Sequence, residues 1–324
     1  MARSLRDYFT DELHQPVPHG ADVLASALCR RYGDAVRAIL FYGSCLRTKD
    51  DQHSLLDFYV FVDDYRSYTK PVWAFLNGLL PPNVFYLEVA EGDVTYRLKY
   101  AVVSLDDLDR LTSTRAWQPY FWARFAQSCA LVYAADGEAE RRVVNASVRA
   151  LKTFLLAIGP LLPPSSTIRE LWQTGLSHTY RTELRSEPPG RAPQIYDLAA
   201  DRYEEITRLA LAELPTGGND EPTRVRVEAP VEAGASARVM LDYPQSVRSQ
   251  ARRFWNVRVV EGKTLFLLRI LKNWCTFEGG VEYVIWKIER HSGVKADPRW
   301  KEKRFRVLAV ATEAWRIWRK GGFR

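Results

Sequence analysis

Hydrophobic and polar positions follow two different patterns along this chain of 324 residues, and the pattern changes near residue 135. Before that position, short apolar runs bounded by turn residues predict strands; after it, apolar residues recur at helical spacing. The predicted strands are residues 35–42, 55–62, 84–90 and 94–104, and the predicted helices are 22–32, 71–80, 139–157, 166–184, 196–214, 263–277 and 281–291. The pattern therefore predicts an α/β fold, a mixed sheet with flanking helices, followed by a mostly α-helical part.

Three parts of the chain differ in composition. Residues 1–135 form the predicted α/β domain, residues 136–250 a helical domain with a loop-rich end, and residues 251–324 a helical C-terminal region. The stretch 215–250 is rich in Gly, Pro, Ala and acidic residues, which predicts an extended segment with one strand at 224–227.

Composition excludes several classes of protein. Hydrophobic residues make up 47% and charged residues 26% of the chain, as in an ordinary globular protein. No apolar run approaches the roughly 20 residues that cross a bilayer, which excludes a polytopic membrane enzyme. The four cysteines lie far apart, so no CxxC metal site is indicated. Because the first residues include acids and form no apolar leader, the expectation is a cytoplasmic protein.

The positive charge is concentrated at the C-terminus. Residues 297–324 contain nine Lys or Arg against three acids and so carry +6 of the net charge of +7. A nucleic-acid-binding domain spreads its basic residues over a folded face, so nucleic acid is not an expected partner. Seven apolar residues of this segment, Trp300, Trp315 and Trp318 among them, share one helical face, with Arg319 beside it. Such a helix is suited to contact with an anionic membrane surface, although a helix that packs its tryptophans on its own protein has the same pattern.

A site-like arrangement lies between the first two predicted strands. The first strand ends in Gly43 and Ser44, and the second carries Asp57. Glycine lets a backbone approach a triphosphate closely, serine adds a hydroxyl donor, and a carboxylate on the next strand is a ligand for Mg²⁺. This order of elements indicates a nucleotidyltransferase. Many such enzymes carry a second acid two residues further on, where this chain has Tyr59, so Glu88 on the following strand is the predicted second metal ligand.

Four segments of the chain match a known family in order. They are Tyr42-Gly43-Ser44 with Leu55-Leu56-Asp57-Phe58, then residues 98–104, residues 117–124, and Gly175-Leu176-Ser177 followed by Arg181 and Arg185. Over residues 39–185 the chain thereby resembles the mitochondrial translocator assembly and maintenance family. Its members are soluble-fold phosphatidate cytidylyltransferases, also called CDP-diacylglycerol synthases.

The resemblance implies a nucleotidyltransferase fold followed by a winged-helix-like domain. It also implies a reaction in which CTP and phosphatidate give CDP-diacylglycerol and pyrophosphate, with Mg²⁺ as cofactor. The roles expected from the residues and the resemblance are catalysis for Asp57 and Lys99, metal binding for Asp57 and Glu88, nucleotide binding for Gly43, Ser44, Lys99 and Arg124, and lipid-phosphate binding for Arg181 and Arg185.

The expected partners are CTP, phosphatidate and an anionic membrane, with the protein peripheral on the inner face of the cell membrane. A phosphate monoester has a second pKa of about 6, so this acceptor is already an anionic nucleophile at pH 7 and needs no general base. Two other functions fit the residues. One is nucleotidyl transfer to a soluble acceptor, and the other is a nucleotide-binding membrane scaffold without catalysis, which Tyr59 favours. A homo-oligomer is compatible with the sequence.

Overall fold

A computed structural model of the protein describes residues 3–52, 54–183, 190–217, 221–228 and 235–276. In chain order its helices and strands are α1 (Leu5–Leu13), α2 (His19–Tyr32), β1 (Val36–Tyr42), α3 (Ser44–Thr48), β2 (Leu55–Val62), α4 (Pro71–Leu79), β3 (Asn83–Glu91), β4 (Val94–Ser104), α5 (Leu105–Leu111), α6 (Tyr120–Phe125), β5 (Cys129–Ala134), α7 (Gly137–Ile158), β6 (Ser165–Thr167), α8 (Ile168–Arg181), α9 (Arg191–Asp197), α10 (Ala200–Ala212), β7 (Arg224–Glu228), β8 (Arg238–Asp242) and α11 (Gln245–Thr276). Within these ranges, no helix combines the length and the apolar character needed to cross a membrane.

A mixed sheet of five strands, in the order β3-β4-β2-β1-β5, lies in the part of the chain that ends with β5 at Ala134. We call this part the first half of the molecule and the part after it the second half. Strands β2 and β4 run parallel, and the other neighbours are antiparallel. The four strands predicted from the sequence are confirmed, with ends that differ by at most about one residue. The sequence pattern misses β5, because an apolar run of this length does not distinguish a strand from a helix.

Helices cover both faces of this sheet. Strand β2 is apolar on both faces apart from Asp57, as expected for a strand buried on two sides. On one face, Phe41 and Phe58 belong to a core that includes residues of α2, α3 and α4. On the other face, Leu40 and Tyr59 belong to a core that continues into α6, α7 and α8. Because side chains alternate along a strand, Asp57 lies on the face of Tyr59, toward the helices of the second half.

The helices of the second half pack closely on each other and on the sheet. Helices α7 and α8 confirm the predicted helices 139–157 and 166–184, with slightly different ends. The predicted helix 196–214 corresponds to α10, which begins four residues later, and the separate helix α9, which the sequence pattern misses, ends at Asp197. Gly175 of α8 faces Phe154 of α7, where an added Cβ would lie 2.2 Å from the ring. The glycine of the Gly-Leu-Ser segment therefore has a packing role in this fold.

Residues 215–250 contain more regular structure than the sequence pattern predicts. The strand predicted at 224–227 is confirmed as β7, but β8 pairs with it and with β6 in a small antiparallel sheet of order β6-β8-β7. Helix α11 begins at Gln245, not at residue 263. Two of its side chains attach it to the rest of the molecule: Trp255 Nε1 donates to the carbonyl of Ala157, and Lys272 Nζ donates to the carbonyl of Leu80 just before β3. The helix predicted at 281–291 lies outside the described residues.

Candidate functional site

The turn after β1 brings Gly43 against Asp57. Tyr42, the last residue of β1, is the register partner of Asp57 on β2. Gly43 has a φ of +95°, which side chains rarely adopt, and a Cβ added there would lie 3.1 Å from Asp57 Oδ2. The glycine therefore provides both the backbone turn and the room beside the carboxylate. Ser44 follows it as the exposed first residue of α3.

Asp57 is a partly buried acid with a cation on the adjacent strand. Its register partner on β4 is Lys99, whose Nζ lies 4.0 Å from Asp57 Oδ1. Burial raises the pKa of Asp57, and the positive charges of Lys99 and Arg124 oppose that rise. The Asp57 side chain is 25% exposed, so part of it is in contact with solvent.

Arg124 reaches the same place from α6. Its guanidinium carbon lies 5.4 Å from the centroid of the Tyr42 ring and 5.1 Å from that of Tyr120. One of its terminal nitrogens lies 3.5 Å from Glu183 Oε1. The structure thus brings together four residues that the sequence analysis selects, and we call this group the Asp57 corner: Gly43, Asp57, Lys99 and Arg124.

Tyr59 occupies the position two residues after Asp57, on the same face of β2. It is fully buried, with its ring stacked on Tyr42 at a centroid distance of 4.7 Å and packed against Phe125. Burial, together with the neighbouring Tyr120 and Tyr42, raises the pKa of Tyr59 well above its usual value, so its hydroxyl stays protonated. A hydrogen-bond donor therefore stands where a second metal-binding acid would be expected.

Glu88 lies on β3, the outer strand beyond β4. Its Oε1 accepts a hydrogen bond of 2.7 Å from the Tyr86 hydroxyl and lies 3.3 Å from Arg97 Nε. Since β4 separates β3 from β2, the strand spacing places the backbones of Glu88 and Asp57 about 10 Å apart or more. The structure therefore pairs Glu88 with Arg97 rather than with Asp57, and its role as a metal ligand stays a prediction.

The residue that fits a magnesium ion best is Asp57, beside the turn at Gly43. In the part of the chain that the structure describes, no group of three or more His, Cys, Asp or Glu side chains is placed to hold a metal. Mg²⁺ in phosphoryl-transfer sites is commonly held by one or two carboxylates together with phosphate oxygens of the substrate. The partly exposed Asp57 side chain, which lies beside the glycine turn at Gly43, is compatible with that arrangement.

The predicted lipid-phosphate and membrane residues lie at the end of α8 or after it. Arg181 is exposed, and its charge adds to the effect of burial in lowering the pKa of His178. Several of these residues lie outside the described part of the chain: Arg185, Trp300, Trp315, Trp318 and Arg319. Lipid-phosphate binding and membrane contact stay predictions for this set.

Arg269 of α11 is a site residue that the sequence analysis misses. Its Nε donates to the carbonyl of Pro81 at 2.8 Å, and its guanidinium carbon lies 5.1 Å from the Tyr120 ring that Arg124 also contacts. The inward residues of α11 recur at helical spacing, which is the signal that could have marked this face: Trp255, Arg258, Gly262, Arg269 and Lys272. The sequence does not show which part of the molecule that face meets.

Comparison with known proteins does not identify this chain. No protein-family model matches it, and no curated protein matches it. The geometry of the Asp57 corner and the resemblance of the sequence segments are therefore the two observations that indicate a function.

Proposed function

We propose that this protein is a phosphatidate cytidylyltransferase with a nucleotidyltransferase fold, which transfers cytidylate from CTP to phosphatidate and releases pyrophosphate. The observation that carries the proposal is the Asp57 corner. There a partly exposed carboxylate lies against the glycine turn at Gly43, and the positive charges of Lys99 and Arg124 are nearby. Transfer from a triphosphate depends on metal binding, alignment and neutralisation of charge, and these groups are suited to those tasks. The choice of CTP and phosphatidate comes from the resemblance over residues 39–185.

In the proposed reaction, an oxygen of the lipid phosphate attacks the α-phosphorus of CTP. The bond from that phosphorus to the oxygen bridging it to the β-phosphorus breaks, and pyrophosphate leaves. The attacking oxygen is ionised at pH 7, so no residue has to remove a proton. Gly43 and Ser44 let the triphosphate lie against the turn, while Lys99 and Arg124 bind phosphate oxygens. Asp57 would hold Mg²⁺, which when bound supplies Lewis-acid stabilisation of the phosphate charges.

The outward face of α11 supports a lipid acceptor and a peripheral position on the inner face of the cell membrane. Four apolar residues on one side of this helix are between 41% and 68% exposed: Val257, Val260, Leu267 and Leu268. The same part of the helix exposes three basic residues: Arg252, Arg253 and Lys263. Its one acid, Glu261, is half-buried. An exposed face of apolar and basic residues is suited to an anionic membrane surface.

A nucleotide-binding scaffold without catalysis is the second candidate, and Tyr59 is the observation that favours it. The buried and protonated Tyr59 offers no negative charge for a second metal ion, whereas an acid at that position would. The two candidates predict the same binding of CTP. They differ in whether pyrophosphate is released.

The experiment that tests the proposal uses the purified full chain, CTP labelled in its α-phosphate, Mg²⁺ and vesicles that contain phosphatidate. We expect labelled CDP-diacylglycerol and an equimolar amount of pyrophosphate with CTP, but no product with ATP, GTP or UTP. Chelation of the metal should stop the reaction. Vesicles that contain phosphatidylglycerol are the matched control, because they are anionic but carry no phosphate monoester.

Other outcomes would decide against this function. Binding of CTP without release of pyrophosphate would favour the scaffold. Equal release of pyrophosphate with and without phosphatidate would indicate a soluble acceptor or simple hydrolysis. Equal transfer from all four nucleotides would refute the choice of CTP.

A further inference from the structure

Arg269 is a cation without an acid of its own. Its Nε donates to the carbonyl of Pro81, and no ion pair to its guanidinium is found among the residues that the structure describes. The acid that acts on its charge is Glu183, which is already paired with Arg124 at 3.5 Å. Burial lowers the pKa of Arg269, which shows that its position is unfavourable for a positive charge.

Arg124 and Arg269 converge on one aromatic ring. Each guanidinium carbon lies 5.1 Å from the centroid of Tyr120, although the two arginines come from α6 and α11. Two positive charges therefore share the carboxylate of Glu183. Arg124 also acts on Asp57, but that carboxylate already has the charge of Lys99 beside it, so positive charge remains in excess. Like charges held close in a partly buried place destabilise each other unless a negative group lies between them.

Two hydrogen-bond donors at this place are unsatisfied. Arg124 Nε and the Tyr59 hydroxyl are buried and make no hydrogen bond of regular geometry within the described residues, although the hydroxyls of Tyr42 and Tyr120 lie near that of Tyr59. Tyr59 acts electrostatically on the pKa of both Arg124 and Arg269, so its hydroxyl lies near both guanidinium groups. Buried polar groups nearly always have a partner, and a protonated tyrosine and two arginines present an excess of donors. The missing partner is therefore an acceptor, and the excess of positive charge indicates an anion.

The long helix α11 is held in the position that places Arg269 here. Lys272, three residues further on, donates from Nζ to the carbonyls of Leu80 at 2.5 Å and Pro82 at 3.1 Å, and to Asn83 Oδ1 at 2.6 Å. These bonds attach the inward face of α11 to the segment that begins β3. Arg269 is therefore a fixed part of this place rather than a mobile surface residue.

We propose that Arg124 and Arg269, with the Tyr59 hydroxyl, form a phosphate clamp beside Asp57. A tetrahedral phosphate group has enough acceptor oxygens for two guanidinium groups and a hydroxyl at once. The source of that phosphate, the triphosphate of the nucleotide or the monoester of the lipid, rests on the proposed function; the clamp itself does not. Helix α11 would then complete the site from a part of the chain that the sequence resemblance does not include.

The test measures binding of inorganic tripolyphosphate to the full-length protein by calorimetry, without metal. We expect Arg269→Gln and Arg124→Gln each to weaken binding about 10- to 100-fold, because each removes a hydrogen bond to a charged ligand. Arg208→Gln is the matched control, since Arg208 is exposed on α10 and its Nε also donates to a backbone carbonyl, that of Glu204. It should change the affinity less than about twofold, because an exposed distant charge is screened.

A second measurement uses the wild-type protein and so does not depend on the folding of a variant. Arginines are modified with a dicarbonyl reagent and quantified by mass spectrometry, with tripolyphosphate or with a soluble short-chain phosphatidate. Protection of Arg269 but not of Arg208 would support the clamp, and the ligand that protects at the lower concentration would identify the source of the phosphate. If neither ligand protects Arg269, or if Arg208→Gln weakens binding as much as Arg269→Gln, the clamp is refuted. Protection of Arg269 in a protein that shows no cytidylyl transfer would refute the proposed function and leave the clamp intact. Cytidylyl transfer that Arg269→Gln leaves unchanged would support the proposed function and refute the clamp.

Discussion

Arg202 and Arg269 both extend from helices of the second half toward the interior, but they have different surroundings. The guanidinium of Arg202 pairs with both carboxylate oxygens of Glu12 and donates to the carbonyl of Ala126. Arg269 donates to one carbonyl and has no acid of its own among the described residues. Burial lowers the pKa of both groups, but Glu12 raises that of Arg202 above its ordinary value, whereas that of Arg269 stays below.

The difference separates two uses of a buried charge. A buried charge with a complete set of partners belongs to the architecture, and its loss leaves a partner unpaired. A buried charge with an incomplete set costs stability, which a bound ligand of opposite charge can offset. Arg202 joins α1 to α10 in the first way, and Arg269 belongs to the proposed phosphate clamp in the second.

The largest expected effect is on stability at the complete pair. Arg202→Met should lower the free energy of unfolding by about 3–5 kcal/mol, because it leaves Glu12 buried without its partner. Arg269→Met should cost less than about 1.5 kcal/mol, since it removes a single hydrogen bond to a carbonyl. Urea denaturation followed by circular dichroism measures both. Equal losses in the two variants would show that the comparison is mistaken.

Asp57→Asn should separate activity from stability. We expect cytidylyl transfer to fall at least about 100-fold, because the proposed metal ligand is lost. Burial raises the pKa of Asp57, so the folded state holds this proton more tightly than the unfolded chain. Ionisation of Asp57 therefore costs stability, increasingly as the pH rises from about 4 through the raised value, and the melting temperature of the variant at pH 7 should increase.

The control for this variant is Asp63→Asn, because Asp63 follows the same strand and is 66% exposed. It should leave transfer within about twofold of the wild type. Near-normal transfer by Asp57→Asn at saturating Mg²⁺ would refute the metal role of Asp57.

Gly43→Ala should reduce transfer about tenfold, since the new Cβ displaces the Asp57 carboxylate that it would touch. Gly92→Ala is the matched control: its φ of +58° is also positive, but nothing lies within 4 Å of the added Cβ. Both variants should lose about 1–3 kcal/mol of stability through backbone strain. Transfer assays and thermal melting distinguish the two effects, and the same activity in both variants would argue against the close approach at Asp57.

The smallest expected effect is that of Lys99→Met, a loss of about two- to fivefold in transfer at pH 7. The charge of Lys99 opposes the rise in the pKa of Asp57. Without it that pKa rises further, so the acid limb of the pH–rate profile should move to higher pH. Lys70→Met serves as the control, because Lys70 is an exposed lysine just before α4 that belongs to no proposed binding surface. A profile that keeps its acid limb after Lys99→Met would contradict this coupling.

The Asp57 corner could be predicted in part because some of its members are close in the chain. Gly43 and Asp57 belong to consecutive strands, and consecutive strands pair in most folds. The position of Lys99 beside Asp57 requires the parallel pairing of β2 with β4, which no local pattern specifies. The sequence shows Glu88 only as an acid in an apolar strand. Its pairing with Arg97 depends on which residue faces it across the strands, which the sequence pattern does not specify.

The sequence by itself determined the four predicted strands of the central sheet, the turn at Gly43 and the single acid on β2. Alternation along a strand and the conformational freedom of glycine act over a few residues, so they can be recognised without the fold. Only the tertiary structure decided that α11 begins at Gln245, that Lys272 attaches it before β3, and that Arg269 meets Arg124 at Tyr120. These contacts join distant parts of the chain, and the burial that stabilises them depends on the shape of both surfaces.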